Sequence, residues 1–335
     1  FSSEMQHVKS FLQSIKPQQS YDDAPDADIY PNNYHLSSWG PCGLFACTYE
    51  GNISIYSSDD NERLTPILMF SPFEKYSLDK IGKQSSKGAT ITAIAWSNGH
   101  LEPYIPKPVI AISSDKGYVI LYNIKTRNVM NAFNFNEPVT SILWSSFKVN
   151  RFYVGTSPGH FYICEVYKKS IEILKMFSFS EDYAIITDAV SKSVDFISQD
   201  DVDGFTVAIA SRDGTVGCIQ NLNDVSKSQL KIFTNLNFSG NDNNKKRNID
   251  IKYFEFYPNN QNFIFVSTNK STFILSIMKQ FAIPFINRPN IKFISILNDR
   301  NDTVIIGDYN SITVFKLDEK SWIKTDFLTI PEILT

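Results

Sequence analysis

Few side chains in this sequence are of the types that carry out catalysis. Its four histidines are His7, His35, His100 and His160, and none of them forms a His-x-His or His-Glu-x-x-His metal motif. His160 directly follows Gly159 at the expected start of a strand, where a solvated or capping imidazole is commoner than a general base. The histidines therefore give no sign of a catalytic or metal centre.

The four cysteines are Cys42, Cys47, Cys164 and Cys218, and only Cys42 and Cys47 stand close together. No second Cys or His pair supplies the further ligands that a structural zinc ion needs. Four scattered cysteines are also too few for a secreted disulfide scaffold of this length. We therefore expect buried thiols, no metal and no cofactor.

Other catalytic signatures are missing from the sequence as well. It contains no Gly-x-Gly-x-x-Gly, no Walker loop and no Gly-x-Ser-x-Gly. Paired acidic residues occur only as short runs, which are typical of solvated loops rather than of acid–base dyads. We therefore predict that the protein is not an enzyme.

The charge balance bears on binding to nucleic acid. Lys and Arg number 32 against 35 Asp and Glu, so the net charge is -3, whereas a protein that binds nucleic acid through its overall charge is basic. The one dense basic cluster is Lys245, Lys246 and Arg247, which we interpret as a loop tip. The alternative is that this loop contacts phosphate in a nucleic-acid-associated subunit of a transcription or chromatin complex. Other proteins are the favoured partners.

Targeting signals are not visible in the sequence. No apolar run reaches the roughly 18 residues needed to span a bilayer, and the first residues do not resemble a signal peptide. We therefore expect no membrane insertion and an intracellular location, cytoplasmic or nuclear. The chain starts at Phe1 rather than Met, which leaves open whether it is a fragment of a longer protein.

The N-terminal residues 1–33 differ from the rest of the chain. Apolar residues recur at helical spacing within 3–16, and Pro17 ends the pattern. These residues are Met5, Val8, Phe11, Leu12 and Ile15. We predict one short amphipathic helix followed by an acidic linker at 17–33. The apolar face of this helix either docks on residues 34–335 or binds a partner.

Residues 34–335 contain short apolar runs that repeat. Trp39, Trp96 and Trp144 fall at the end of the first strand of successive units, and Phe256 takes the same place in a later one. We expect each of the three tryptophans to be largely buried in the packing between units. We expect first strands at 34–39, 91–97, 139–145, 193–198, 251–258 and 293–297. Second strands follow at 43–51, 108–117, 151–159, 205–214, 262–270 and 303–310. The first four of these second strands end in Gly51, Gly117, Gly159 and Gly214.

Glycine at these strand ends supplies the positive φ that a two-residue hairpin turn requires. Successive turns at 117 and 159, and at 270 and 310, are 42 and 40 residues apart. These steps match a four-stranded unit of roughly 40–45 residues.

The units resemble the WD40 repeat of β-propellers. YVILYNI is similar to its third-strand signature, with Tyr122 and Asn123 in place of Trp-Asp, and ITAIAWS and VTSILWS are similar to its first strand. The resemblance implies an all-β propeller. Six four-stranded blades are visible in the sequence. Seven is the commonest number in that family, so a seventh blade is left as an alternative. No unit has the family's Gly-His pair at the family's place in the repeat, and none has its Trp-Asp pair, so the family's Asp-His-Ser/Thr-Trp network is not assigned to any residue.

The resemblance implies a non-enzymatic protein–protein interaction scaffold, a propeller subunit of a larger multiprotein complex. Such a ring displays loops on its two faces. The candidate partner-binding residues are an apolar loop tip (Leu101, Tyr104 and Ile105), the basic tip (Lys245, Lys246 and Arg247) and the face of the N-terminal helix. The apolar loop tip has a second interpretation, in which it folds back on its own blade.

Overall fold

The computed structural model describes the chain from residue 36 to residue 329 with gaps. The described ranges are 36–49, 51–58, 63–73, 88–97, 108–145, 148–167, 170–179, 186–193, 205–211, 215–235, 251–256, 263–268, 271–276, 282–286, 293–296, 303–307, 311–318 and 321–329. The predicted N-terminal helix and its boundary with the repeats lie outside these residues. Within them, no helix is long and apolar enough to cross a membrane.

The described residues form six antiparallel sheets, and each sheet takes four strands that follow one another in the chain. The first sheet contains β1 (Ser37–Trp39), β2 (Leu44–Tyr49), β3 (Asn52–Ser58) and β4 (Leu64–Phe70). The second contains β5 (Ile91–Trp96), β6 (Val109–Ser114), β7 (Tyr118–Asn123) and β8 (Asn128–Asn134). The third contains β9 (Val139–Trp144), β10 (Arg151–Thr156), β11 (His160–Tyr167) and β12 (Ser170–Ser178).

The remaining three sheets are built in the same way. The fourth contains β13 (Ile186–Ser193), β14 (Phe205–Ser211), β15 (Thr215–Gln220) and β16 (Gln229–Asn235). The fifth contains β17 (Ile251–Phe256), β18 (Phe263–Thr268), β19 (Thr272–Ser276) and β20 (Ala282–Ile286). The sixth contains β21 (Phe293–Ile296), β22 (Thr303–Gly307), β23 (Ser311–Asp318) and β24 (Ser321–Thr329). Short 3-10 helices occur at Pro41–Gly43 and Val225–Lys227.

The first strands of successive sheets lie side by side. β1 contacts β5, β5 contacts β9, β9 contacts β13, β13 contacts β17, and β17 contacts β21. Each sheet therefore starts next to a common axis, and its fourth strand lies at the outer rim. This is the predicted β-propeller, with six four-stranded blades in the part of the chain that the structure describes.

Apolar side chains fill the space between neighbouring sheets. Every residue of β6, β7 and β10 is buried, because these strands are covered on both faces. One core lies between the first and second sheets, where Phe70 stacks on Tyr122 with ring centroids 4.1 Å apart. Further cores join the second sheet to the third and the third to the fourth. Phe285 and Phe315 bring the fifth and sixth sheets into contact, at 5.3 Å between ring centroids.

Trp96 and Trp144 occupy equivalent places, each as the last residue of the first strand of its sheet. Both are buried, at 6% and 3% exposure, against the core shared with the preceding sheet. The indole of Trp96 donates to the Ser38 carbonyl at 3.0 Å, and that of Trp144 donates to the Val149 carbonyl at 2.7 Å. The predicted register is therefore confirmed for these two tryptophans.

Trp39 ends β1 in the same register, but its expected burial is wrong. Its side chain is 51% exposed. The cause is its position in the chain, since Trp96 and Trp144 are each buried against the sheet that precedes their own. The sheet of Trp39 is the first one, so no earlier sheet exists within the described ranges to cover it.

The first strand of the fourth sheet was also predicted at the wrong place. The sequence pattern favoured 193–198, whereas β13 runs from Ile186 to Ser193. β13 pairs with β14 from Ser193 opposite Phe205 to Ile186 opposite Ser211. The bounds of β13 therefore follow from its pairing with β14 and from its contacts with β9 and β17, and not from the local apolar run at 193–198.

The glycine turns agree with the prediction where they are described. Gly51, Gly117 and Gly159 have φ of 75°, 84° and 87°, and each lies between the second and third strand of its sheet. Gly214 lies outside the described residues, so its turn stays a prediction.

We expect Gly117→Ala to destabilise the protein at least twice as much as Gly51→Ala. Both residues have positive φ, which costs an alanine about 1–2 kcal/mol. Only at Gly117 would a Cβ also meet neighbours, at 2.8 Å from Asn134 Oδ1 and 2.8 Å from the Glu137 carbonyl oxygen, while Gly51 has nothing within 4 Å. Urea unfolding of both variants measures the difference, and equal losses would show that the turn at Gly117 is not tightly packed.

Candidate interaction surface

The predicted partner-binding residues all lie outside the part of the chain that the structure describes. This holds for Leu101, Tyr104 and Ile105, for the basic tip Lys245, Lys246 and Arg247, and for the helix face Met5, Val8, Phe11, Leu12 and Ile15. They therefore stay predictions. The candidate surfaces below are built from residues of the six sheets.

A polar cluster around Glu137 lies at one end of the third sheet. Glu137 stands between β8 and β9, and its carboxylate accepts a hydrogen bond from Thr156 Oγ1 at 2.7 Å and from Tyr162 Oη at 3.1 Å. His160 Nδ1 lies 2.9 Å and 3.0 Å from the two carboxylate oxygens. The cluster ties the connection before β9 to the turn between β10 and β11.

The surroundings of Glu137 and Tyr162 shift the pKa values of both groups, so that Glu137 is ionised and Tyr162 is protonated at neutral pH. Burial alone would raise the pKa of Glu137, but the hydrogen bonds from His160 and Thr156 outweigh it and hold the pKa below the ordinary value of 4.5. Burial and the neighbouring Glu137 carboxylate raise the pKa of Tyr162 to about 12. Because Glu137 stays a carboxylate, His160 Nδ1 must be the donor in their hydrogen bond.

Sequence reasoning missed this cluster. The resemblance pointed to a Gly-His pair and a Trp-Asp pair at the family's places in the repeat, which no unit has, and we interpreted His160 as a solvated or capping residue. Instead, the side chains of Glu137, His160, Thr156 and Tyr162 form a hydrogen-bonded network. The available signal was a Glu two residues before a predicted first strand together with a His directly after the glycine turn of the same unit.

A buried ion pair lies within the third sheet, between β10 and β11, and its arginine also contacts the fourth sheet. Arg151 and Glu165 are only 2% and 8% exposed, and Arg151 Nε donates to Glu165 Oε1 at 3.0 Å. The guanidinium also donates to the carbonyl of Leu222, which follows β15 in the fourth sheet. Tyr167 Oη donates to Glu165 Oε2 at 3.1 Å. Burial would raise the pKa of Glu165, yet the hydrogen bond and charge of Arg151 hold it below the ordinary value.

Lys175 forms a second connection between the same sheets. From β12 its ammonium donates to the carbonyls of Val225 at 3.1 Å and Ser228 at 2.8 Å, at the 3-10 helix before β16. It also lies over the ring of Phe177, 5.1 Å from the centroid. The charges of Arg151, Glu165 and Lys175 are therefore used to hold neighbouring sheets together.

The three cysteines whose side chains the structure describes are buried or half-buried thiols. Cys47, Cys164 and Cys218 are free, and the last two are buried. Burial raises the pKa of Cys164, and it raises the pKa of Cys218 to about 12, so both stay protonated and unreactive at neutral pH. Within the described ranges no group of three or more His, Cys, Asp or Glu side chains could hold a metal ion.

Large apolar side chains are exposed on the fourth strands, at the outer rim of the sheets. Ile173 and Met176 on β12 are 40% and 49% exposed, and Ile232 on β16 is 53% exposed. Ile173 pairs with Cys164 and Met176 pairs with Tyr162, so both point to the face that the third sheet turns toward the second. We call Ile173 and Met176 the rim surface, and it lies where β12 passes beside β8.

A second set of exposed apolar side chains lies on the first sheet. Trp39, Tyr49 and Met69 are 51%, 52% and 68% exposed. The strand register places all three on the side that faces away from the second sheet. We call these three residues the first-sheet face.

Comparison with solved structures identifies the fold. Some 1480 solved chains match this structure. Among them is a chain in the crystal structure of a mitotic checkpoint complex, with a TM-score of 0.60 over 95% of this chain and 90% of that chain. The two sequences are 10% identical, a level at which the similarity concerns the fold. The chain has the fold of a WD40 β-propeller, as predicted.

Comparison of the sequence gives no relative. No protein-family model matches the chain, and no curated protein matches it.

We expect Glu137→Gln to destabilise the protein near neutral pH and to lose this effect in acid. The folded-state pKa of Glu137 is lowered, so its contribution is complete above the ordinary pKa of 4.5 and disappears as the pH falls through the lowered value. Urea unfolding of the wild type and the variant across this pH range measures the difference. A difference that stays constant below pH 4.5 would contradict the role assigned to the carboxylate.

We expect Arg151→Ala to reduce the free energy of unfolding by about 3–5 kcal/mol, since it leaves the Glu165 carboxylate buried without its main partner. Lys227→Ala is the matched control, because Lys227 and Asp224 form an exposed pair at 3.4 Å. The control should leave the urea midpoint almost unchanged. Equal midpoints for the two variants would mean that Arg151, through Glu165 and the Leu222 carbonyl, does not stabilise the packing of the third and fourth sheets.

Proposed function

We propose that the protein is a non-enzymatic scaffold that binds other proteins, as the propeller subunit of a larger multiprotein complex. The supporting observation is the contrast between its polar and apolar side chains. Glu137, Arg151 and Glu165 are engaged in bonds within and between sheets. Large apolar side chains such as Ile173 and Met176 remain exposed at the rim. Exposed apolar side chains are what protein partners bury.

The fold comparison supports the assignment to a complex. The similar solved chain belongs to a structure titled as a mitotic checkpoint complex, so a propeller of this shape serves there as one component of an assembly. By analogy of fold, we expect this chain to work by presenting surface residues to partner proteins. Because the second and third sheets are packed on both sides, the ring offers a surface there that needs little reordering when a partner binds.

The titratable groups in the polar cluster support a role without catalysis. A general acid or base works best with a pKa near the operating pH. The pKa of Glu137 is shifted below its ordinary value, and that of Tyr162 is raised to about 12, so both are moved away from neutrality. Neither group is suited to exchange a proton with a substrate at neutral pH.

The rim surface is the proposed contact for a protein partner. Met176 is a flexible and polarisable side chain, which suits it to packing against an irregular surface. Its neighbour Ile173 extends the apolar area along β12. The fourth strand of a sheet also presents backbone N–H and C=O groups on its outer side, which a partner strand can pair with.

We also propose an intracellular location, and nucleic-acid binding is the alternative to the scaffold function. A scaffold of this kind would work inside the cell, in the cytoplasm or the nucleus. Binding to nucleic acid would depend on Lys245, Lys246 and Arg247, which lie outside the described residues. Retention on heparin that falls with salt and disappears in a variant with all three changed to alanine would favour that alternative.

We expect the double variant Ile173→Asp/Met176→Asp to lose a partner protein that the wild type retains. Two buried carboxylates would oppose an apolar contact, while the fold should survive because the two side chains are already 40% and 49% exposed. Tagged proteins are purified from native extract, and co-purifying proteins are quantified by mass spectrometry. Glu172→Gln, on the same strand and also exposed, is the control and should retain the partner.

The same experiment can overturn the proposal. Melting temperatures of the three proteins must agree, which separates loss of binding from loss of folding. If the double variant and the control retain the same proteins in the same amounts, the rim surface is not the contact. If no protein co-purifies in a defined ratio with the wild type, the scaffold function itself is wrong.

A further inference from the structure

The outer strands of the second and third sheets form the two walls of an apolar cleft. These strands are β8 and β12, which belong to different sheets and lie beside each other at the rim. From β8, Met130 and Phe133 pack partly buried against the core that the two sheets share. From β12, Ile173 and Met176 lie on the face that the third sheet turns toward the second. We call these four residues the rim cleft.

The rim cleft is open on its outer side. The core beneath it includes Phe135 and Tyr162, whose ring centroids are 5.0 Å apart. Ile173 and Met176 lie outside this core and remain exposed. Sheets that radiate from a common axis diverge toward their outer strands, so the space between β8 and β12 widens toward solvent. Such a cleft can take apolar side chains of another protein.

One end of the rim cleft carries a carboxylate. Met176 pairs with Tyr162, and Tyr162 Oη donates to Glu137 Oε2 at 3.1 Å. The side chain of Glu137 is 23% exposed, so solvent reaches it. Toward the other end, Asn131 Nδ2 donates to the Tyr167 carbonyl at 3.2 Å and joins the second sheet to the third. The cleft therefore has an anionic group at one end only among the side chains just named.

The carboxylate of Glu137 can accept a further hydrogen bond. A carboxylate has about four lone-pair sites on its two oxygens. Oε2 accepts from Thr156 at 2.7 Å and from Tyr162 at 3.1 Å. His160 Nδ1 is shared between the two oxygens, at 2.9 Å from Oε1 and 3.0 Å from Oε2. Among the described residues, only His160 donates to Oε1, so this oxygen has room for a donor from a partner.

We propose that the rim cleft binds a segment of a partner protein whose apolar side chains lie between β8 and β12 and whose lysine or arginine donates to Glu137 Oε1. This inference rests on the proposed contact at the rim surface and specifies the chemistry of the partner there. The occupant follows from charge complementarity. Hydrogen bonds from three side chains hold the carboxylate in place, so a basic residue finds a fixed acceptor, whereas an acidic residue is repelled.

The two parts of the cleft contribute differently to binding. Apolar area removed from water supplies most of the driving force, and it does not distinguish one apolar segment from another of similar size. An ion pair with a partly exposed carboxylate changes affinity about fivefold at most. Its main effect is therefore on specificity. A segment with an acidic residue in place of the basic one should bind at the same cleft but more weakly.

Peptides displayed on phage test this specificity with the full-length chain, at pH 8, above the range in which imidazoles are ordinarily charged. Two libraries share a centre randomised among Leu, Ile, Met and Phe and differ in a terminal Lys or Glu. We expect the Lys library to be enriched about fivefold over the Glu library. Glu137→Gln should remove this preference. Glu172→Gln is the matched control and should keep it, since Glu172 pairs with Glu165 and lies on the opposite face of β12.

Cross-linking of the wild type keeps the test valid if Glu137→Gln lowers stability too far. A carbodiimide joins an amine to a carboxylate that it contacts, and mass spectrometry of the digested product locates the bond. A peptide selected from the Lys library should be joined through its lysine to Glu137. Cross-links that occur only at other carboxylates, such as Glu172, would overturn the proposal.

The double variant Ile173→Asp/Met176→Asp separates this inference from the proposed function. If both libraries are enriched equally on the wild type and neither on the double variant, the rim surface is a contact but the role assigned to Glu137 is wrong. If the double variant selects the same peptides as the wild type, the cleft does not bind them. The inference and the proposed contact at the rim would then both be wrong.

Discussion

The structure depends on one constraint, that each sheet has two apolar faces and must be covered on both. A single four-stranded sheet with residues such as Ile110, Ile112 and Ile120 cannot fold alone, because one of its faces would remain in water. Placing sheets side by side around an axis solves this for every sheet with two neighbours. The burial of all residues of β6 and β7 is the direct result.

Polar side chains act within this arrangement by fixing how neighbouring sheets are placed. Apolar packing has little directional preference, whereas the bond from Arg151 to the Leu222 carbonyl fixes the third sheet against the fourth, and the pairing of Arg151 with Glu165 inside the third sheet holds the guanidinium in place for it. The hydrogen bonds of Lys175 to Val225 and Ser228 have the same effect nearer the rim. These charges are already satisfied by the protein itself. Function is therefore better sought in exposed apolar side chains than in a cluster of reactive ones.

We propose that this propeller holds partners in fixed positions. The rim surface of Ile173 and Met176 lies at the outer edge of the third sheet, beside the core that this sheet shares with the second. A partner could therefore bind there and leave without exposing that core.

Sequence alone determined the features that depend on residues close together in the chain. The alternation of apolar residues and the glycines at strand ends predicted most strands and the turns at Gly51, Gly117 and Gly159, because backbone geometry responds to local sterics. The repeated tryptophans gave the register of the sheets, which Trp96 and Trp144 confirm. These local signals were enough to predict the propeller.

Only the tertiary structure decided the features that depend on distant residues. Glu137 and His160 are 23 positions apart, and Arg151 and Leu222 are 71 apart, so no local pattern could pair them. The start of β13 at Ile186 and the exposure of Trp39 likewise depend on neighbouring strands and sheets. A side chain's burial is set by what packs against it, and for Trp39 the repeat pattern specified its place in the strand but not the presence of a neighbouring sheet.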